Sequence, residues 1–165
     1  VGLLLGETPE LIAQGLVSYQ ASGMRQNIYE QDGYQIYADC YNASPDAMEA
    51  TLSVLGGMAG DGRRFAVLGS MLELGDYAEE GHRRAGRAAA QYADALYAYG
   101  PDAAAMVAGA REKGMEHAYA FDDQTALVAA LREDATKGDA LLFKGSRGMR
   151  MERALAMFLG EEVEA

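Results

Sequence analysis

The run Lys144-Gly145-Ser146-Arg147-Gly148-Met149-Arg150-Met151-Glu152 gathers a lysine, a serine and two arginines where a short apolar stretch gives way to a helical pattern. Backbone N–H groups at such a turn, with Gly145 and Gly148 to let a ligand approach and basic side chains alongside, favour phosphate or carboxylate. The competing reading is a basic turn that only keeps a loop in water. A second candidate is Asp39-Cys40-Tyr41-Asn42-Ala43-Ser44-Pro45-Asp46. Here Asp39 ends a strand pattern, Ser44 is placed to cap a helix and Pro45 to open it. An acidic side chain at that place could accept hydrogen bonds from a ribose diol. It could equally bind loop N–H groups, with Asn42 holding the turn. A third, Gly69-Ser70-Met71-Leu72-Glu73-Leu74-Gly75-Asp76, is a long loop with two carboxylates and no dinucleotide or P-loop spacing.

Other reactive types point to structure. Cys40 has no basic sequence neighbour to lower its pKa and reads as a small buried filler. The polar surroundings of His82 read as the solvated first turn of a helix. With His117 far off in sequence and one cysteine in all, no metal-ligand spacing occurs, so no metal site is expected. The nine methionines read as core.

The elements that must position these loops alternate. Asn27–Glu30 and Tyr34–Ala38 flank Gln31-Asp32-Gly33, a hairpin signal. Helices are expected at Pro45–Leu55, Ala78–Tyr92, Asp102–Lys113 and Gln124–Ala135. Strands are expected at Arg64–Leu68, Ala95–Tyr99, His117–Phe121 and Asp139–Phe143, and a last helix follows the basic turn. Strands separated by helices imply an α/β fold with a mostly parallel sheet covered on both faces and an antiparallel edge hairpin. Such sheets bind ligands at the carboxyl ends of their strands, where all three candidate loops fall.

At 165 residues the chain holds one full core. Its net charge of −11 argues against nucleic acid or an anionic membrane as the main partner and leaves a small ligand. A lone cysteine suits a reducing cytoplasm. Thr8-Pro9-Glu10 starts a helix with Leu11, Ile12 and Leu16 as its buried stripe. The small, polar Ala21–Arg25 stretch places a domain boundary near residues 23–26, and the apolar start suggests that more chain precedes Val1.

Tyr41-Asn42-Ala43-Ser44-Pro45-Asp46, Ala66-Val67-Leu68-Gly69-Ser70-Met71-Leu72-Glu73-Leu74-Gly75, His82-Arg83 and the Lys144–Glu152 run, in this order and spacing, resemble the Mur ligases, and among them the branch that adds D-alanyl-D-alanine. The resemblance implies a Rossmann-like three-layer sandwich, the Mur ligase C-terminal domain, at 23–165, with residues 1–22 a helix remnant of a central ATPase domain. It implies an ATP-dependent amide ligase acting on UDP-N-acetylmuramoyl-tripeptide and D-alanyl-D-alanine, with Mg2+ on the phosphates held mainly by the central domain. The missing domains of the same polypeptide are then the partners, and the fragment alone is expected to be inactive. By the same resemblance Arg25 contacts nucleotide, Asp39 holds the ribose, and Asn42 and Ser44 face the interdomain cleft. Lys144, Ser146 and Arg147 meet the amino component and the reacting phosphoryl group. Ser70 departs from the aspartate usual in the family. The rival readings are another Mur or folylpolyglutamate-type ligase, and a non-enzymatic flavodoxin-like binding module.

Overall fold

The computed structural model describes residues 2–17, 26–58 and 60–162. Arg25, most of the expected boundary at 23–26, the Leu16 side chain and the tail residues Val163 and Glu164 lie outside the described residues.

A short helix, α1 (Pro9–Val17), opens the chain, with the Leu11 N–H bonded to the Thr8 hydroxyl at 3.3 Å as a helix start requires. Leu11, expected in a buried stripe, is 54 % exposed, and Leu3, Leu4 and Leu5 are exposed with it. A hairpin follows, β1 (Asn27–Gln31) and β2 (Tyr34–Asp39), antiparallel and joined through Asp32 and Gly33 at φ 53° and 87°. Two successive left-handed residues twist the turn to match its strands, which is what the Asp-Gly pair permits.

The remainder alternates: α2 (Pro45–Gly56), β3 (Arg64–Gly69), α3 (Ala78–Tyr92), β4 (Ala95–Tyr99), α4 (Ala103–Glu112), β5 (Ala118–Phe121), α5 (Gln124–Asp134), β6 (Ala140–Lys144) and α6 (Met151–Leu159). The six strands stand in the order β1-β2-β6-β3-β4-β5, parallel except for β1. The last strand in sequence therefore lies between the second and third, which sets the loop after β6 between the loops after β2 and β3.

Side chains alternate across the pleat. Ala66, Leu68, Leu96, Ala98 and Leu142 face α2, α3 and α4, meeting Met48, Leu52, Ala85, Ala89 and Met106. Phe65, Val67, Tyr97, Leu141 and Phe143 face α5 and α6, meeting Leu127, Leu131, Met151, Leu155 and Phe158. Both faces are thus dry, as a parallel sheet requires. Among the described residues no helix is long and apolar enough to cross a membrane.

One expected boundary shifts in a way that matters. The final strand runs Ala140–Lys144, not Asp139–Phe143, so Lys144 leaves the turn and joins the ladder, in register with Asp39 on one side and Leu68 on the other. Asp139 instead ties the preceding loop, its carboxylate accepting from the Arg63 and Thr136 N–H groups at 2.7 Å each.

Candidate active site at the strand ends

Asp39 and Lys144 close two adjacent parallel strands, and their side chains form an ion pair beneath the surface, with side-chain exposures of 9 % and 2 %. The Lys144 ammonium also donates to the Asn42 carbonyl at 3.0 Å, and the second Asp39 oxygen accepts the Gln26 N–H at 3.3 Å. Taking two charges out of water is costly unless they satisfy each other and gain further hydrogen bonds, and both do so here. Lys144, expected as part of the basic turn, is therefore corrected to the end of the strand. It is a buried cation that neutralises Asp39 and fastens the loop after β2 to the end of β6. Asp39 sits at the strand end as expected, with its carboxylate already engaged on both oxygens.

Asn42 and Ser44 are exposed on that same loop. Ser44 caps α2, its hydroxyl accepting the Ala47 N–H at 3.3 Å, and the Asn42 side chain accepts the Ala43 N–H at 2.9 Å. Both therefore do the local work read from their types, and both face solvent at the carboxyl edge of the sheet.

Ser146 is buried and joins two loops. Its hydroxyl accepts the Leu72 N–H at 2.9 Å while its own N–H donates to the Ser70 carbonyl at 3.2 Å. Ser70, fully buried, extends the stitching to a third loop, for its hydroxyl accepts the Asp102 N–H at 3.0 Å. Sequence reasoning left Ser70 without a role; its place directly after a buried strand was the available signal. Gly145 makes room for this convergence, since a Cβ there would lie 2.7 Å from Met151 Cγ and 3.1 Å from Gly69 Cα.

Of the basic run, Arg147 and Arg150 are exposed, the Arg147 side chain 62 % in water and 3.5 Å from Glu152. The chain does not pass straight from strand to helix: a 3-10 turn over Arg147–Met149 is followed by Arg150 in the left-handed region (φ 46°, ψ 49°), and α6 begins after it. For a non-glycine residue that conformation costs about 1–2 kcal/mol. Beside this turn an open groove of about 800 Å3 runs between the hairpin and α6, lined by Tyr29, Cys40, Arg147, Arg150, Glu152 and Arg153. It flanks the Asp39–Lys144 pair without including either residue.

Cys40 is wholly buried, with its thiol directed to the Phe143 carbonyl at 3.4 Å. Burial, followed by the charges of Glu152 and Asp39, pushes the thiol up to about 12, the opposite of an activated nucleophile. His82 contradicts the solvated reading outright, being 0 % exposed beneath the loop after β3. Its polar neighbours Glu79, Glu80, Arg83 and Arg84 reach the surface of α3, where the arginines pair with carboxylates of α2, α3 and α4.

The Mur ligase, glutamate ligase domain family model matches residues 24–147. The UDP-N-acetylmuramoyl-tripeptide–D-alanyl-D-alanine ligase of Bacillus subtilis (strain 168) is 36 % identical over 154 residues, 92 % of this chain and 34 % of that protein. Among solved structures, the MurF ligase from Thermotoga maritima in complex with ADP superposes with a TM-score of 0.81 at 32 % identity, over 97 % of this chain and 35 % of that one. A MurF from Acinetobacter baumannii gives 0.83 at 30 %, with the same coverage. The chain spans about a third of the length of these relatives. With the six-stranded sheet, the three stitched loops and a family match across most of its residues, the chain belongs to the Mur ligase family, as its glutamate ligase domain.

Proposed function

We propose that this chain is the C-terminal domain of an ATP-dependent ligase that joins D-alanyl-D-alanine to UDP-N-acetylmuramoyl-tripeptide in the cytoplasmic stage of peptidoglycan synthesis, on which cell shape and division depend. The observation that carries the reading is the convergence of the loops after β2, β3 and β6 on one edge of the sheet, in a chain whose relatives bear that activity.

Residues 1–22 are then the end of the central ATPase domain and 23–165 the C-terminal domain. The exposed Leu3, Leu4, Leu5 and Leu11 support this division, for they are apolar side chains that a neighbouring domain would cover. No G-x-x-x-x-G-K-[ST] motif occurs in the chain, so the phosphates of ATP are assigned to that preceding domain. Among the described residues no three His, Cys, Asp or Glu side chains gather as a metal site. Mg2+ is accordingly assigned to the nucleotide phosphates and the central domain.

In the reaction the γ-phosphoryl group of ATP passes to the terminal carboxylate of the tripeptide, leaving ADP and an acyl phosphate. The dipeptide amine attacks the carbonyl carbon, the C–N bond forms, the C–O bond to phosphate breaks, and the amine gives up a proton. The contributions of this domain are assigned by position. Asp39, oriented by Lys144, offers its remaining lone pairs to the ribose, with Arg25 as a second nucleotide contact. Asn42 and Ser44 present the capped loop to the interdomain cleft. Ser146 holds the basic turn in place, and Arg147 brings an exposed cation to the anionic substrates when the domain closes.

The test is mass spectrometry of the products formed by the full-length protein from ATP, Mg2+, UDP-N-acetylmuramoyl-tripeptide and a panel of amine acceptors. The reading expects the pentapeptide product with D-alanyl-D-alanine and none from residues 1–165 alone. Turnover with glutamate or a single amino acid in place of the dipeptide would move the chain to another branch of the family.

A further inference from the structure

His82 is a buried titratable side chain beneath the loop after β3 to which the reading above gives no role. Its Nδ1–H donates to the Ala78 carbonyl, one helical turn back, at 2.6 Å. That bond leaves Nε2 as an acceptor, and Nε2 takes the Met71 N–H at 2.8 Å. The nearest carboxylate oxygen, Asp102 Oδ2, is 3.7 Å from Nε2, outside hydrogen-bond range. The ring thus needs to be neutral with its proton on Nδ1, and both nitrogens are satisfied.

What Met71 connects gives this bond its consequence. Ser70 and Leu72, on either side of it, are the two residues that hold Ser146, through the Ser70 carbonyl and the Leu72 N–H. Ser70 also receives the Asp102 N–H. A single acceptor inside α3 therefore fixes the middle of a three-residue segment whose flanks locate the turn after β6. We propose that His82 is a positioning residue for the ligation step. Acting through the Met71 N–H, it sets the height of the loop after β3 and thereby the place of Ser146 and Arg147. This rests on the ligase reading above.

Two substitutions separate positioning from mere filling of space. In His82→Gln the side-chain oxygen extends to the place of Nε2 and can still accept from Met71. In His82→Asn the amide ends at the place of Nδ1, where it can serve Ala78 but leaves the Met71 N–H without a partner. The experiment measures kcat and KM for the dipeptide and for ATP in the full-length ligase, with thermal unfolding and hydrogen exchange of the Met71 amide on the same variants. In the Asn variant kcat should fall on the order of 100-fold, the scale of a misplacement of about 1 Å, with faster Met71 exchange. The Gln variant should restore both. Equal behaviour of the two variants, whether both active or both losing rate in step with melting temperature, would overturn the positioning role. Unchanged Met71 protection in the Asn variant would overturn the hydrogen bond on which it depends. If the wild-type protein makes no dipeptide adduct, the ligase reading falls and this role with it, a result distinct from either of those.

Discussion

Asp39 and Lys144 are 105 residues apart in sequence and directly opposite each other in the parallel ladder of β2 and β6, where they form a buried ion pair. The pair unites the two motifs that the sequence singles out, and it changes what each can do. Asp39 is not a free carboxylate awaiting a ligand, nor is Lys144 a free cation.

A stability prediction follows from the burial of both charges. Removing one partner strands the other, so Lys144→Ala should destabilise the protein by about 3–5 kcal/mol. The double variant Asp39→Leu/Lys144→Met, which removes both charges and keeps the volume apolar, should be far less destabilised than the sum of its single variants. Chemical denaturation of the four proteins in the cycle checks this, and additive losses would show that the charges do not interact.

The packing of α3 on α4 gives a second. A Cβ built on Gly86 would lie 1.8 Å from the Met106 carbonyl oxygen and 2.8 Å from its carbon, both backbone atoms that cannot swing aside. Gly86→Ala should therefore cost about 1–3 kcal/mol or more, against the general helix-favouring effect of alanine. A thermal melt reads the sign directly, and a gain in stability would mean that the two helices do not approach so closely.

How far the sequence foretold this arrangement depends on the range of the forces involved. The Asp32-Gly33 turn, the Ser44 cap and the helix at Ala78–Tyr92 rest on local chemistry or on periodicity within one element, and they stand where expected. The burial of Lys144 was not legible, because the partner that permits it lies on another strand and the pairing depends on β6 entering between β2 and β3. His82 is a different case. With Ala85 and Ala89 it forms an i, i+3, i+7 row on the inner face of α3, a pattern that was present but masked by the charged residues beside it. The loop stitching by Ser70 and Ser146 links residues far apart in the chain and left no signature beyond the residue types and the place of Ser70 after a buried strand.

Alkaline stability should report Cys40. Its thiol rises to about 12 in the folded protein from an ordinary value of 9.0, so the folded state holds its proton where the unfolded state has lost it. The contribution is fully present below pH 9 and is lost as pH rises toward 12, at about 1.4 kcal/mol per unit. Urea unfolding across that window should show a downward slope, to which the raised phenols of Tyr29, Tyr37 and Tyr97 add above pH 10, and Cys40→Ala should make it shallower, most clearly between pH 9 and 10. At neutral pH a thiol reagent should label the folded protein only at the rate of its opening.

The exposed Arg147 carries the central claim that the turn after β6 serves chemistry and not only structure. Its side chain is 62 % in water and meets Glu152 at 3.5 Å, so its loss should leave the melting temperature nearly unchanged. If it stabilises charge on the reacting substrates once the domains close, Arg147→Ala should lower kcat of the full-length ligase on the order of 100-fold or more at saturating ATP and dipeptide. The decisive measurement is steady-state kinetics on that variant beside its thermal melt. A fall of that size in an equally stable protein is the predicted result, and a kcat near that of the wild type would contradict the account.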